Sequence, residues 1–228
     1  MNARLRPSGN TIELAWSIVV SMTPVLATLL LSAATFAAAA MADEPVPAAA
    51  TALQAIDQRM EAYDQFKAMF ETARFEEALP LAQRVVELSE IDRDRDTELP
   101  IAYNNLGATQ YQLSNYEAAE ASYKKSLALL EEGQGISSRR MITPLAGLGA
   151  VYAALDQHAL AVVQFDRALA VSRRSEGLFN LAQLPLIDKA ASSRFVLGDY
   201  GGVERDYFYA LRIAEQRYGF DDPRTLPA

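Results

Sequence analysis

Between residues 52 and 218, apolar side chains return every three or four positions, which is the spacing of helices that bury one face. The stretch 100–131, PIAYNNLGATQYQLSNYEAAEASYKKSLALLE, contains two such runs separated by the polar turn at 113–115. The runs predict one helix over 98–112, called helix A, and a second over 116–131, called helix B. The chain around them is therefore expected to be all-α.

The same pair of helices returns at a nearly constant interval. Gly107 is followed by Gly149 after 42 residues, and Tyr123 is followed by Phe165 and then Tyr207 at the same interval. Self-similarity with a period of this length is typical of stacked repeats. The repeats are predicted at about 62–93, 98–134, 140–176 and 182–218.

Within each pair, a small residue on helix A recurs at a fixed offset from a bulky residue on helix B. Gly107 precedes Tyr123 and Gly149 precedes Phe165, so we expect the ring to fill the space that the glycine leaves. The first repeat departs from this pattern, because Phe66 stands at the glycine position. No single pair can bury both of its faces, so the pairs are expected to stack in series.

Upstream of the second repeat, apolar residues again lie three or four apart and predict a helix with an apolar stripe down one face. This stripe consists of Leu53, Ile56, Met60, Tyr63, Phe66, Phe70 and Ala73.

The repeated residues resemble those of the tetratricopeptide repeat. The positions that carry the resemblance are Leu106, Gly107, Tyr116, Ala119, Tyr123 and Leu127, with Leu148, Gly149, Tyr152, Ala161, Phe165, Ala168 and Leu169. The usual unit is about 34 residues. The longer period here is similar to that of the kinesin-light-chain type, as are Asn104-Asn105 and the YGFDDP segment at 218–223. The resemblance implies a right-handed α-solenoid of about four antiparallel helix pairs, in a domain that spans 52–228.

The first 42 residues have a different composition from the rest of the chain. A short basic start with Arg4 and Arg6 precedes an uncharged run, 14–42, that ends in small-x-small sites. This layout is typical of a secretory signal peptide, and the alternative is an uncleaved anchor, since a run of this length could span a bilayer. We expect cleavage, a linker over 43–51, and a periplasmic or secreted protein; the alternative is anchoring in the inner membrane.

Composition excludes several classes of function. Lys and Arg total 21 against 29 Asp and Glu, which gives a net charge of −8. A general nucleic-acid binder would need a basic stripe, so we expect no nucleic-acid partner. The chain has no cysteine, which excludes disulfides, thiolate nucleophiles and thiolate metal sites.

No motif predicts catalysis. His158 is the only histidine and stands where Tyr116 and Tyr200 stand in the neighbouring repeats, which favours a packing role. The alternating aspartates at 92–96 resemble the start of a calcium loop, but Thr97 occupies the position that requires glycine. We therefore expect a protein without enzyme activity, without a metal site and without a cofactor.

The resemblance implies that the A helices line a concave groove that holds an extended peptide or a partner protein. Asn side chains can donate to and accept from a bound backbone, and aromatic residues can act as anchors. The candidate partner-binding residues are Asn104, Asn105, Ala108, Tyr111 and Gln112 in the second repeat, and Asp188, Lys189, Ser192 and Phe195 in the fourth.

The function expected from these features is a non-catalytic scaffold or adaptor in the periplasm or envelope. The alternative is a membrane-anchored structural subunit of an envelope complex, which keeps residues 14–42 and docks through the solenoid. The C-terminal repeat suggests a further contact. Its helix B carries Tyr207, Phe208 and Leu211, and only DDPRTLPA follows it, without a polar capping helix. We therefore expect homodimerisation through this end.

Overall fold

The structure, a computed structural model, describes residues 48–91, 98–134, 138–220 and 222. The helices belong to one compact unit, Thr51–Ala228. Both the predicted signal peptide or anchor and the aspartate segment at 92–96 lie outside the described residues. Among the helices that the structure describes, none is long and apolar enough to cross a bilayer.

The described residues form helices and contain no strand, which confirms the predicted all-α solenoid. Two 3-10 turns, Arg139–Met141 and Leu181–Gln183, precede the helices A of the third and fourth pairs. The helices pair as α1 with α2, α3 with α4, α5 with α6, and α7 with α8. Their bounds are α1 Ala48–Glu71, α2 Phe75–Glu90, α3 Leu99–Gln112, α4 Tyr116–Gln134, α5 Ile142–Ala154, α6 His158–Glu176, α7 Leu184–Val196 and α8 Tyr200–Tyr218.

All four turns between helix A and helix B have the same backbone geometry. One residue in each turn has a left-handed conformation, with φ between 57° and 75°. The amide of the following residue donates to the carbonyl five residues earlier, as in the Asn115 N to Gln110 O bond of 2.9 Å, and so closes the end of helix A. The left-handed residues are Ala73, Ser114, Asp156 and Gly198.

The helices form two layers. Helices α3, α5 and α7 each contact their own helix B, and α3 also packs on α2 of the preceding pair. Successive helices A contact each other as well, α3 with α5 and α5 with α7, so these three helices form a continuous layer. One buried cluster joins α1, α2 and α3, and a larger one joins α4 to α8.

The predicted fit of small against large residues is confirmed. A Cβ added to Gly107 would lie 3.1 Å from the Tyr123 ring, and one added to Gly149 would lie 2.6 Å from the Phe165 ring. A Cβ on Gly147 would lie 2.3 Å from Tyr123. The Tyr123 ring therefore lies between a glycine of its own pair and a glycine of the following pair.

The predicted helix is present as α1, and its apolar stripe is only partly buried. Ala62 and Phe66 belong to the core, whereas Met60 is 58% exposed and Tyr63 is 39% exposed. Met60 and Tyr63 line a pocket with Val85 of α2 and Ile101 of α3, so these side chains remain accessible between the helices.

Candidate functional site

The A helices share a partly exposed face, which we call the A-helix surface. Its residues recur in register, as Met60, Ile101 and Thr143 do on α1, α3 and α5. None of its members is fully buried. They are Met60, Tyr63, Ile101, Asn104, Asn105, Ala108, Tyr111, Gln112, Thr143, Ala146, Ala150, Asp188, Lys189, Ser192 and Phe195.

The predicted asparagine pair is half-buried near the middle of α3. Asn104 Nδ2 donates to Asn105 Oδ1 at 3.5 Å. The Asn105 backbone carbonyl accepts a bond of 2.9 Å from Thr109 Oγ1, which is buried below it. Asn104 Oδ1 is buried and has no hydrogen-bond donor among the described residues. Leaving such an acceptor unpaired costs about 1–3 kcal/mol, so a bound N–H group would be stabilised there.

The other α3 candidates differ in how accessible they are. Ala108 and Tyr111 are half-buried and pack against the larger core cluster. The Tyr111 ring lies 5.7 Å from that of Tyr116, at an angle of 55°. Burial, with a smaller effect of Tyr111, raises the pKa of Tyr123 behind it. Gln112, at the end of α3, is exposed.

The α7 candidates lie on the same layer but not beside those of α3. Asp188, Lys189 and Ser192 are exposed, and Phe195 is 61% exposed with its ring edge-on to Tyr200 at 5.7 Å. Helix α5 lies between the two sets and contacts both α3 and α7. The candidate residues therefore form two patches separated by the small side chains of α5.

Two pockets open beside the first turns of α3 and share Ile101. The first, of about 270 Å³, lies between α1, α2 and α3, and is mainly apolar. It is lined by Arg59, Met60, Tyr63, Val85, Ser89, Glu98, Ile101 and Ala102. The second, of about 220 Å³, lies between α3, α4 and α5. It is lined by Pro100, Ile101, Asn104, Ser126, Leu130, Arg140, Thr143 and Pro144.

Sequence reasoning predicted Asn104 as a site residue but missed most other residues of these pockets, among them Met60, Tyr63 and Arg140. Met60 and Tyr63 were predicted only as part of an apolar helical stripe, although their register with Ile101 could have placed them on the A-helix surface. Arg140 was missed because it stands in the 3-10 turn before α5 rather than on a helix A. Its Nη2 donates to Glu98 Oε1 at 3.1 Å, so this side of the surface carries a basic group in addition to Lys189.

The titratable groups in the described ranges give no sign of a metal centre. No cluster of three or more His, Cys, Asp or Glu side chains occurs in those ranges. His158 Nε2 lies 3.3 Å from Asp156 Oδ1, and the His158 side chain is 16% exposed. Its packing role stays a prediction.

Residues 59–132 match the family model described as tetratricopeptide repeat. Among solved structures, the chain is similar to BtubC (BKLC) from P. vanneervenii, with 22% sequence identity and a TM-score of 0.63. That match covers 72% of this chain and 66% of the other, slightly less than two thirds of its length.

The chain is also similar to a Podosopora anserina protein described as a putative kinesin light chain with nearly identical TPR-like repeats. Identity is 12% and the TM-score is 0.61, over 74% of this chain and 80% of that one; a point variant of the same protein gives the same values. At these identities, the likeness concerns the fold alone. No curated protein matches the chain in sequence.

Proposed function

We propose that this chain, whose residues 59–132 match the tetratricopeptide repeat, is a non-catalytic scaffold that binds an extended segment of a partner protein across its A-helix surface. Such repeats are typical of proteins that bring other proteins together. The proposal rests mainly on Asn104, whose buried Oδ1 has no donor among the described residues and lies at a pocket. A backbone N–H of a bound segment supplies the missing hydrogen bond.

The two pockets indicate what kind of segment fits. The first has apolar walls from Met60, Tyr63 and Ile101, so it favours an apolar side chain. The second contains Asn104 and Arg140, so it favours a polar group near the next position of the segment. Because Ile101 borders both pockets, a single extended strand can occupy them together.

We further propose that the protein acts in the bacterial periplasm or envelope. The support is the uncharged run at 14–42 with its small-x-small end. The same run supports the second candidate, a structural subunit that keeps this segment as an anchor. Intact mass and cell fractionation distinguish the two: a soluble product that lacks residues 1–40 or 1–42 favours the exported scaffold, and a full-length product in the membrane favours the subunit.

The binding proposal is tested by site-specific photocrosslinking in the host envelope. A crosslinker at Thr143, on the A-helix surface, should capture a partner, and one at the exposed Glu117 on α4 should not. Replacing Asn104 by Ala should reduce the recovered partner about tenfold or more, because the acceptor for the bound backbone is lost. Asn115→Ala, in the exposed turn of the same repeat, is the matched control.

Equal recovery with both asparagine variants would contradict the assignment of the A-helix surface. Thermal melting of the two variants, followed by circular dichroism, separates loss of binding from loss of folding. The same partner captured at Glu117 would mean that contact is made through the B helices instead.

A further inference from the structure

The last helix, α8, exposes apolar side chains at positions that contact the next repeat elsewhere in the solenoid. Tyr207 is the counterpart of Tyr123, yet it is 49% exposed, whereas Tyr123 is 5% exposed and packs against Gly147. Phe208, 60% exposed, is the counterpart of Asp166, which forms an ion pair of 2.6 Å with Arg194 of the following repeat. Helix α8 thus exposes Tyr207 and Phe208 at positions that contact the following repeat in other helices B.

The opposite end of the solenoid does not fit this face. Glu61 and Gln65 on α1 are the counterparts of Ala102 and Leu106, which are buried against α2. Both α1 residues are exposed, and Gln65 Nε2 donates to Glu61 Oε1 at 3.3 Å. Packing α8 of one copy on α1 of another would bury this polar row without partners. Head-to-tail stacking of copies is therefore disfavoured.

The charges on α8 fit the same helix of a second copy. Glu204, Phe208 and Arg212 are four residues apart and so lie along one face. Glu204 and Arg212 are both exposed, and neither forms an ion pair with any other residue in the part of the chain that the structure describes. When two copies of α8 run antiparallel with Phe208 at the crossing, each Glu204 lies opposite the other copy's Arg212. The pairing forms twice, as a two-fold symmetric contact requires.

We propose that this face mediates a symmetric homodimer, in which α8 packs antiparallel on α8 of a second copy around Phe208, with two Glu204–Arg212 ion pairs. The contact uses the last helix B and leaves the A-helix surface free, so it does not depend on the proposed partner-binding function. It gives a chemical basis to the dimer that the aromatic residues of the last repeat predict.

The experiment is sedimentation equilibrium of the protein purified as its own host processes it, across nanomolar to hundred-micromolar concentrations. We expect a reversible dimer that forms in the micromolar range, and Phe208→Glu should be monomeric throughout. Glu204→Arg and Arg212→Glu should each raise the dissociation constant roughly tenfold or more, because each places two like charges in contact twice. The double variant, which exchanges the charges, should return to within a few-fold of the original dissociation constant.

Glu117→Arg, an exposed reversal on α4, should leave the dimer unchanged and is the control for net charge. All four substituted positions are exposed, and circular dichroism checks that each variant is folded. A monomer at every concentration overturns the proposal, as does a double variant that dimerises no better than the single ones. If another part of the chain or a different protein covers this face, the protein should be a monomer at every concentration.

Discussion

Tyr123 and Tyr207 are the same residue at the same position of two helix pairs, but only the first is buried. Tyr123 is 5% exposed and Tyr207 is 49% exposed. Both pairs have a small residue at the matching position of helix A, namely Gly107 and Ala191. What Tyr207 lacks is the contact that Gly147 of the following pair makes with Tyr123. Burial in this solenoid therefore comes as much from the next repeat as from the repeat itself.

The largest effect is expected from removing the two tyrosine rings in turn. Tyr123→Ala should lower the free energy of unfolding by about 3–5 kcal/mol, because it empties a buried site between two helix pairs. Tyr207→Ala should cost less than about 1 kcal/mol in the monomer, since half of that ring is already in solvent. Urea denaturation at the lowest workable protein concentration measures both losses of stability. Equal losses would show that the contact with the following repeat contributes little.

A second comparison adds a methyl group instead of removing a ring. Gly147→Ala should destabilise by about 1–3 kcal/mol, because its Cβ would lie 2.3 Å from the Tyr123 ring. Gly201→Ala on α8 should stabilise by about 0.5–1 kcal/mol, because the nearest atom, on Arg205, is 3.6 Å away and alanine favours the helix. Thermal melting of the two variants should give shifts of opposite sign. Two shifts of the same sign would contradict the close packing of Gly147.

A third comparison concerns Glu176 at the end of α6. Its carboxylate accepts from Ser172 Oγ at 2.8 Å, from Arg139 Nε at 2.5 Å and from Asn180 Nδ2 at 3.3 Å. The counterpart in the last repeat is Tyr218, which offers no carboxylate. The Ser172 hydrogen bond, and then Arg139, lower the pKa of Glu176 although burial opposes them. The stabilisation is therefore present above the ordinary glutamate pKa and is lost as the pH falls through the lowered value.

Glu176→Gln should accordingly reduce stability by about 1–2 kcal/mol at pH 7. The difference between variant and parent should shrink as the pH falls through the lowered pKa of Glu176, where the parent carboxylate becomes protonated. Denaturation series at pH 7, 5 and 3 measure it, and Glu117→Gln, at an exposed position on α4, is the control. A difference that does not change with pH would assign the loss to packing rather than to charge.

The smallest effect concerns the four left-handed turns. Ser114 has φ 60° and should cost about 1 kcal/mol relative to glycine, so Ser114→Gly should stabilise slightly. The last repeat already has Gly198 at this position, with φ 75°, so Gly198→Ala should destabilise by a similar amount. Shifts in melting temperature check both variants, and the comparison fails if the two substitutions shift it in the same direction.

The stacked helix pairs could be predicted from the sequence because the spacing of the repeated residues determines how the helices pack. A period of 42 residues, and glycines at fixed offsets from bulky rings, leave few alternatives to nested hairpins. Even the end of α8 at Tyr218 agrees with the pattern. Local chemistry is sufficient here because the same geometric requirement is repeated several times along the chain.

The site was harder to predict because the same periodicity serves two purposes. An apolar residue such as Met60 satisfies the helical pattern whether it faces the core or a pocket, and only the neighbouring helix decides which. Arg140 reaches the second pocket from a turn, where no helical periodicity applies. The unpaired oxygen of Asn104 depends on side-chain geometry, which spacing does not encode.

Phe66 and Ala82 show the pattern of Gly107 and Tyr123 reversed, with the ring on helix A and the small side chain on helix B. During evolutionary drift, neither position can change alone without either a void or a collision. The first hairpin has therefore diverged as a coupled unit. If the first helix pair were duplicated and inserted between other pairs, Phe66 would stand where those pairs have a glycine or an alanine. The solenoid therefore cannot gain a repeat by duplication of its first helix pair.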